Sequence, residues 1–238
     1  MKLFIPKQHG AWAMLIIPYW LGVVAAGFMW QHIPFFVGWI LLYLATYPML
    51  LLFKGKKIPF YTKWTLIYLI PALVFLMIPL WTRPSIIIFG FMMLTLFSIN
   101  GYFSKKNNDR ALINDLSAIV AFGVAGLASS FLTDGHLNAA SILVFFASGL
   151  FFIGCTFYVK TMIRERKNVT YKRVSWIYHI VTPIGWAVAG VPVVAAAFIP
   201  SLFRAIYFYG KPLSMKKVGV LEIGNAALFF IIMVIAVI

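Results

Sequence analysis

Acidic side chains are scarce in this chain. Five Asp plus Glu stand among 238 residues, against 20 Lys plus Arg, and only 11% of all residues are charged. A soluble globular domain carries roughly a quarter charged residues, so that class is excluded. The 63% hydrophobic content and the mean hydropathy of +0.96 give more apolar surface than a soluble fold can bury. Cysteine is nearly absent too. Cys155 alone excludes an intramolecular disulfide and any cysteine-based metal cluster. No P-loop, zinc signature or Ser-His-Asp set is readable. The net charge of +15 resides in short clusters between apolar runs. With no soluble basic domain and no aromatic-interleaved basic patch, it does not indicate nucleic acid. The first apolar run is long and lacks a small-residue cleavage site, which argues against a cleaved signal peptide. Linkers, low-complexity tails and short-period repeats are missing, so residues 1–238 read as a single integral membrane domain.

What is present is a series of uncharged runs near the roughly 20 residues that a helix needs to cross the hydrocarbon core. Gly10 to Met29, Ile33 to Phe53 and Ala139 to Val159 are examples. In lipid the backbone must satisfy its own hydrogen bonds, so such runs are helices. Windows of about 19 residues place spans at 10–29, 33–53, 64–81, 85–103, 115–133, 138–159, 174–189, 191–209 and 219–238. The expected fold is all-α, a polytopic transmembrane bundle of about nine helices. The seventh and eighth spans admit another reading, one helix plus a re-entrant piece around Gly190, Val191 and Pro192. Charge favours nine. With nine spans, every Lys and Arg except Arg83 falls on the side of the N-terminus, whereas merging the pair moves Arg204, Lys211, Lys216 and Lys217 across. The positive-inside bias then puts the N-terminus in the cytoplasm and the C-terminus outside, with the basic clusters attracted to anionic membrane lipids. The opposite connections are short turns.

Polar residues at or inside a membrane carry the functional reading, although polar side chains are also cheap at span ends. Lys7, Gln8 and His9 precede helix one, where free N–H groups and the helix dipole favour an anion. The plain alternative is an interfacial anchor, with Lys7 reaching for headgroups. Residues 100–117, NGYFSKKNNDRALINDLS, combine Lys105, Lys106 and Arg110 with Asn114 and Asp115. Asn114 or Asp115 is placed to cap helix five, and an Asn-Asp pair is also one way to hold magnesium. Residues 158–179, YVKTMIRERKNVTYKRVSWIYH, are the densest polar stretch. Lys160 and Arg164 lie one helical turn apart, Arg164 and Arg166 flank Glu165, and Tyr178 and His179 fall about one turn inside helix seven. Guanidinium groups match phosphate or carboxylate oxygens two at a time, so this loop reads as an anion site or as topogenic charge with Glu165 satisfying one arginine. Glu222 and Asn225 share a face of helix nine. Glu222 suits a helix N-terminus, and equally suits pairing with a basic residue of a site. His32 and His136 fall in outer turns and read as solvated. Pro18, Pro48, Pro71 and Pro183 are candidate helix breaks, no charged residue lies in mid-membrane, and Gly123, Ala125, Gly126 and Ala128 read as a close helix contact.

Taken together, the KQHGAWAML start, the ND heading helix five and the KTMIRER…YH loop resemble the YwiC-like bacterial membrane proteins over almost the whole chain. That resemblance implies a multi-pass protein of a bacterial cytoplasmic membrane and no particular chemistry. A fainter likeness is to the UbiA-type intramembrane prenyltransferases. YFSKK, residues 102–106, is similar to their aromatic-then-basic fourth-loop element, and residues 158–168 fall where their second Asp-rich motif stands. The likeness implies a nine-helix, UbiA-like arrangement with a cytoplasm-side pocket that holds a prenyl diphosphate through magnesium on two Asp-rich motifs. Here the second loop, LFKGKKIPFYTKW, has no carboxylate and the sixth offers only Glu165. Magnesium is therefore disfavoured, no metal ligand set is assigned, and fixed positive charge takes its place. On this reading Lys7, Lys105, Lys106, Arg110, Asn114, Lys160, Arg164 and Arg166 bind the headgroup of an isoprenoid or phosphorylated lipid. His9, Tyr178, His179 and Asp115 are the catalytic candidates, the histidines as proton carriers. The alternatives are a membrane carrier without covalent chemistry and a non-catalytic accessory subunit of a membrane complex.

Overall fold

The computed structural model describes residues 3–6, 9–55 and 57–238, with the backbone alone at His9. Among these residues all regular structure is helical. Nine α-helices follow in order: α1 His9–Ala26, α2 His32–Leu52, α3 Ile58–Thr82, α4 Ile87–Lys105, α5 Leu112–Asp134, α6 Ala139–Ile163, α7 Val169–Val188, α8 Pro192–Tyr207 and α9 Met215–Val237. A short 3₁₀ turn, Pro84–Ile86, leads into α4. Six of the segments are long and apolar enough to span a bilayer, while Gly10–Ala26 and Pro192–Tyr207 are shorter apolar helices. The chain is a multi-pass membrane protein.

Local chemistry explains where the helices begin. α3 starts well before residue 64 because Pro59 lies in its first turn, where a missing N–H costs nothing. Asn168 accepts a hydrogen bond from the Tyr171 N–H and Ser214 one from the Lys217 N–H, so α7 and α9 also start earlier than hydropathy suggests. Two expectations are corrected. The N-cap of α5 is Ala111, with no side-chain cap, so neither Asn114 nor Asp115 caps it and Asp115 sits in its first turn. Pro18, Pro48, Pro71 and Pro183 lie inside continuous helices rather than at breaks. Between α7 and α8, Gly190 takes a φ of +79° and Pro192 occupies the first turn of α8. Two helices therefore replace the single-helix alternative, because left-handed backbone followed by proline cannot continue a helix.

The chain divides into two compact units, Met1–Phe145 and Phe146–Ile238. In the first, α5 is central, with 61% of its apolar window buried against 17% for the Pro84–Lys105 segment. α1 packs on α5, and α2 on α3. The α1–α5 approach is backbone-close. A Cβ on Gly22 would lie 2.1 Å from the Gly126 carbonyl oxygen, and one on Gly126 would lie 2.5 Å from that of Pro18. Ala125 and Ala128 are each 1% exposed beside them, as small residues allow where two membrane helices touch. Leu15, Tyr19, Trp39, Phe122 and Val124 fill the core around this contact.

His32 is wholly buried rather than solvated. Its Nε2 lies 2.9 Å from the Ser129 carbonyl and its Nδ1 within 3.0 Å of Met29 backbone atoms, while the Tyr19 hydroxyl donates to the His32 carbonyl. The ring thus ties the α1–α2 turn to α5. Arg83, the one basic residue placed on the opposite side, donates to the Leu132 and Thr133 carbonyls at the end of α5. It satisfies acceptors that a helix C-terminus leaves open.

In the second unit, α7 packs on α8 and α8 on α9. Phe151 of α6 stacks on Phe229 of α9 at 4.0 Å, with Phe198 of α8 against the same ring at 5.7 Å. The α6–α7 and α8–α9 loops lie at one end of this unit, joined by a hydrogen bond from Arg166 to the Gly210 carbonyl. Leaving out Arg204 and Glu222, that end carries nine Lys and Arg against Glu165.

Candidate functional site

Beneath the basic end of the second unit lies a buried polar cluster drawn from four helices. α8 places Ser201 and Arg204 one turn apart on one face, and α9 places Glu222 and Asn225 likewise. The helices run antiparallel, so the two pairs meet as a ladder. Arg204 donates to Glu222 through Nη1, and the Asn225 amide donates to the Ser201 hydroxyl at 2.9 Å. α6 adds Cys155, whose sulfur lies 3.8 Å from Arg204 Nη2. It also adds Tyr158, whose ring centroid is 4.1 Å from the guanidinium carbon. α7 adds His179, within electrostatic reach of Arg204.

Arg204 and His179 are each 4% exposed, whereas the Glu222 side chain keeps 13% of its surface open. Glu222 lies seven residues into α9, about 10 Å from the helix start at 1.5 Å per residue. The pair is thus held among the helices of the unit rather than in its loops. Sequence reasoning missed it, because Arg204 was counted with the loop charges near the end of its span. The readable signal was the matching three-residue spacing of a Ser/Arg pair and a Glu/Asn pair on neighbouring antiparallel helices.

The cluster is only partly satisfied. Arg204 Nε, the Tyr158 hydroxyl and His179 Nε2 are buried without hydrogen-bond partners. His179 Nδ1 lies 2.7 Å from the Ser175 carbonyl. A carbonyl only accepts, so Nδ1 carries the proton and Nε2 of the neutral ring presents a bare lone pair. That nitrogen faces Gly154, where a Cβ would come within 3.3 Å of it. Each unpaired polar atom in a low-dielectric setting costs several kcal/mol. One of the three belongs to Arg204 itself, and another to Tyr158, whose ring lies against the guanidinium.

Each residue singled out from the sequence can now be placed. Lys7 and Gln8 lie outside the described residues, as does the side chain of His9. In the first unit, Lys105, Lys106 and Arg110 are exposed, and Asn114 and Asp115 are partly buried. Lys105 edges a groove of about 320 Å³ with Phe53, Ser98, Gly101 and Tyr102. Asn114 is engaged, donating to the Asp109 carbonyl and accepting from Asn100, while Asp109 pairs with Lys54 at 2.6 Å. In the second unit, Lys160 is partly buried and Arg164 and Arg166 are exposed. Glu165 accepts from Asn168. Tyr178 donates to the Leu150 carbonyl at 2.7 Å, so its hydroxyl is occupied in helix packing. His179 lies ten residues into α7 rather than one turn in, and it joins the buried cluster. Lys172 is held over the rings of Trp176 and Tyr209 at 4.3 and 4.6 Å.

Carboxylates do not assemble for a metal. Among the described residues, no three His, Cys, Asp or Glu side chains gather closely enough to hold an ion. Glu165 and Glu222, the acids of the second unit, are engaged by Asn168 and Arg204. Magnesium takes one or two carboxylates beside substrate phosphates and water, and of the second unit's two acids one is ion-paired and the other hydrogen-bonded.

The profile of the YwiC-like protein family matches residues 5–130. The chain is 45% identical over 233 residues to the Bacillus subtilis (strain 168) protein named YwiC, covering 98% of each. It is 40% identical over 236 residues to a Haemophilus influenzae protein, covering 99% of each. No solved structure matches. Both relatives bear titles that describe them as uncharacterised. By profile, identity and coverage, the chain belongs to the YwiC-like family.

Proposed function

We propose that this protein binds an amphiphilic anion, an isoprenoid phosphate or another lipid with a phosphate or carboxylate headgroup. The headgroup meets the basic end of the second unit and the tail lies along apolar helix surface. The observation that carries this reading is the pairing of exposed and buried arginines within that unit. Arg164 and Arg166 are exposed in the loop after α6, and Arg204, in the last turn of α8, is buried with its Nε unpartnered. Guanidinium groups are suited to oxyanions, being always charged, planar and weakly hydrated. Exposed apolar residues on α7, α8 and α9, such as Ile177, Val181, Ile199 and Ile223, supply surface for an alkyl tail.

Two activities fit such a site. A prenyltransferase-like transfer is the first, oriented with the N-terminus in the cytoplasm and using arginine in place of metal. Its proton carrier is His179, since Tyr178 is tied to Leu150. Carriage of the anion across the membrane is the second, and the buried Arg204–Glu222 pair favours it, because ionisable residues inside membranes recur on ion and substrate pathways.

Binding of radiolabelled farnesyl monophosphate to the detergent-solubilised full chain tests the shared premise. Arg164→Ala with Arg166→Ala should weaken binding about tenfold or more, as loss of charge-assisted contacts does. Unchanged binding refutes the headgroup assignment. Uptake of the same compound by reconstituted vesicles, or its covalent conversion, separates carrier from transferase.

A further inference from the structure

We propose that Arg204 is the inner anion-binding group of the second unit, and that a monoanion binds there only with uptake of one proton by Glu222. The proposal rests on the anion-binding reading above and adds a coupling which that reading does not require.

The argument is one of charge. In the resting cluster Arg204 and Glu222 neutralise each other at a site where Arg204 is 4% exposed. The groups facing the pair are Cys155 and Tyr158 from α6, Tyr178 and His179 from α7, Arg204 from α8 and Glu222 from α9. None of these besides Arg204 carries fixed positive charge. A guest anion at the guanidinium would leave the cluster with one net negative charge, and buried net charge is strongly disfavoured in a low-dielectric medium. Protonating Glu222 restores neutrality.

Geometry makes Glu222 the proton acceptor. It is the partly exposed member of the pair, with 13% of its side chain open, so both water and an incoming headgroup meet it first. In the exchange, the Arg204 Nη1 contact to Glu222 Oε1 breaks and a contact from the guanidinium to the guest oxygen forms. Glu222 takes a proton from water to become a neutral acid, and no covalent bond to carbon or phosphorus changes. Arg204 Nε and the Tyr158 hydroxyl, both unpartnered, supply two further donors to the guest.

Decanesulfonate is a suitable probe because its headgroup stays a monoanion across the working pH range. Methanesulfonate supplies the same headgroup without a tail. Calorimetric titration of the full chain in non-ionic detergent, in two buffers of different ionisation enthalpy, counts protons directly. The expected result is uptake of about one proton per decanesulfonate bound, with affinity falling about tenfold per pH unit as pH rises above neutrality, because the bound state holds the extra proton. Glu222→Gln should bind the probe without proton uptake and without pH dependence. Arg204→Met with Glu222→Met removes both charges, so folding does not suffer from an orphaned ion, and this variant should lose binding.

Wild-type binding with no proton uptake overturns the coupling while leaving the anion-binding reading intact. Persistent uptake in Glu222→Gln overturns the assignment of the acceptor, and unimpaired binding by the double variant overturns the role of Arg204. Absence of any decanesulfonate binding overturns the underlying reading as well. Methanesulfonate binding as tight as decanesulfonate, with one proton, upholds the coupling and replaces the lipid by a small free anion.

Discussion

Removing Arg204 alone should be among the most damaging single substitutions in the second unit. Arg204→Ala leaves Glu222, 13% exposed, beside Cys155 with no counter-ion, and it empties the space over the Tyr158 ring. Breaking a buried pair by deleting one partner costs about 3–5 kcal/mol, because the surviving charge is uncompensated. The guanidinium stacking on Tyr158 adds about 1–2 kcal/mol. Replacing both partners, Arg204→Met with Glu222→Met, restores volume and removes both desolvation costs. The double variant should therefore lie within about 1 kcal/mol of wild type or above it. Equilibrium unfolding of the purified protein in mixed micelles, followed by tryptophan fluorescence, reads the difference. A single variant within about 0.5 kcal/mol of wild type would show that the pair is hydrated and exchangeable at no cost. If the double variant is as unstable as the single one, the loss is one of packing and the electrostatic account of the cluster fails.

Other consequences are checked by the same unfolding measurement. Gly126→Ala should lower stability by about 1–3 kcal/mol or more, because the new Cβ meets the Pro18 carbonyl at 2.5 Å; a neutral result would mean that α1 and α5 separate freely. His32→Ala strips a fully buried ring from the Met29 and Ser129 backbone groups and should cost about 2–4 kcal/mol through lost hydrogen bonds and packing. Asp109→Asn, by contrast, removes an exposed ion pair to Lys54 and should change stability by less than about 1 kcal/mol, diminishing further in high salt.

Much of the architecture was legible in the sequence because lipid leaves the backbone few options. Apolar runs of sufficient length located all nine helices, and the placement of Lys and Arg correctly kept α7 and α8 separate. Helix starts were less legible, since capping by Asn168 and Ser214 lies in polar sequence that hydropathy windows discard. Histidine in a short turn reads as solvated by default; His32 is buried because its carbonyl partner, Ser129, comes from a helix almost a hundred residues away. Proline likewise signals a break in water, yet α1, α2, α3, α7 and α8 accommodate it within continuous helix.

The candidate site was legible in part. His179 and Glu222 were noticed individually, but the residue that joins them was not. Three residues from the end of α8, Arg204 satisfies the topological rule like any loop cation. Only tertiary packing against Tyr158, Cys155 and Glu222 distinguishes it. Conversely, Asn114 and Tyr178 looked available, yet both make hydrogen bonds within the fold.

The most direct test of the central claim is native mass spectrometry of the full chain released from its own membrane in mild detergent, with Arg204→Met/Glu222→Met alongside. Anion binding at the second unit predicts a specific acidic amphiphile retained by the wild-type protein and lost from the double variant, its mass naming the compound class to assay. A wild-type protein that retains no acidic lipid, or one that the folded double variant retains equally, contradicts the account.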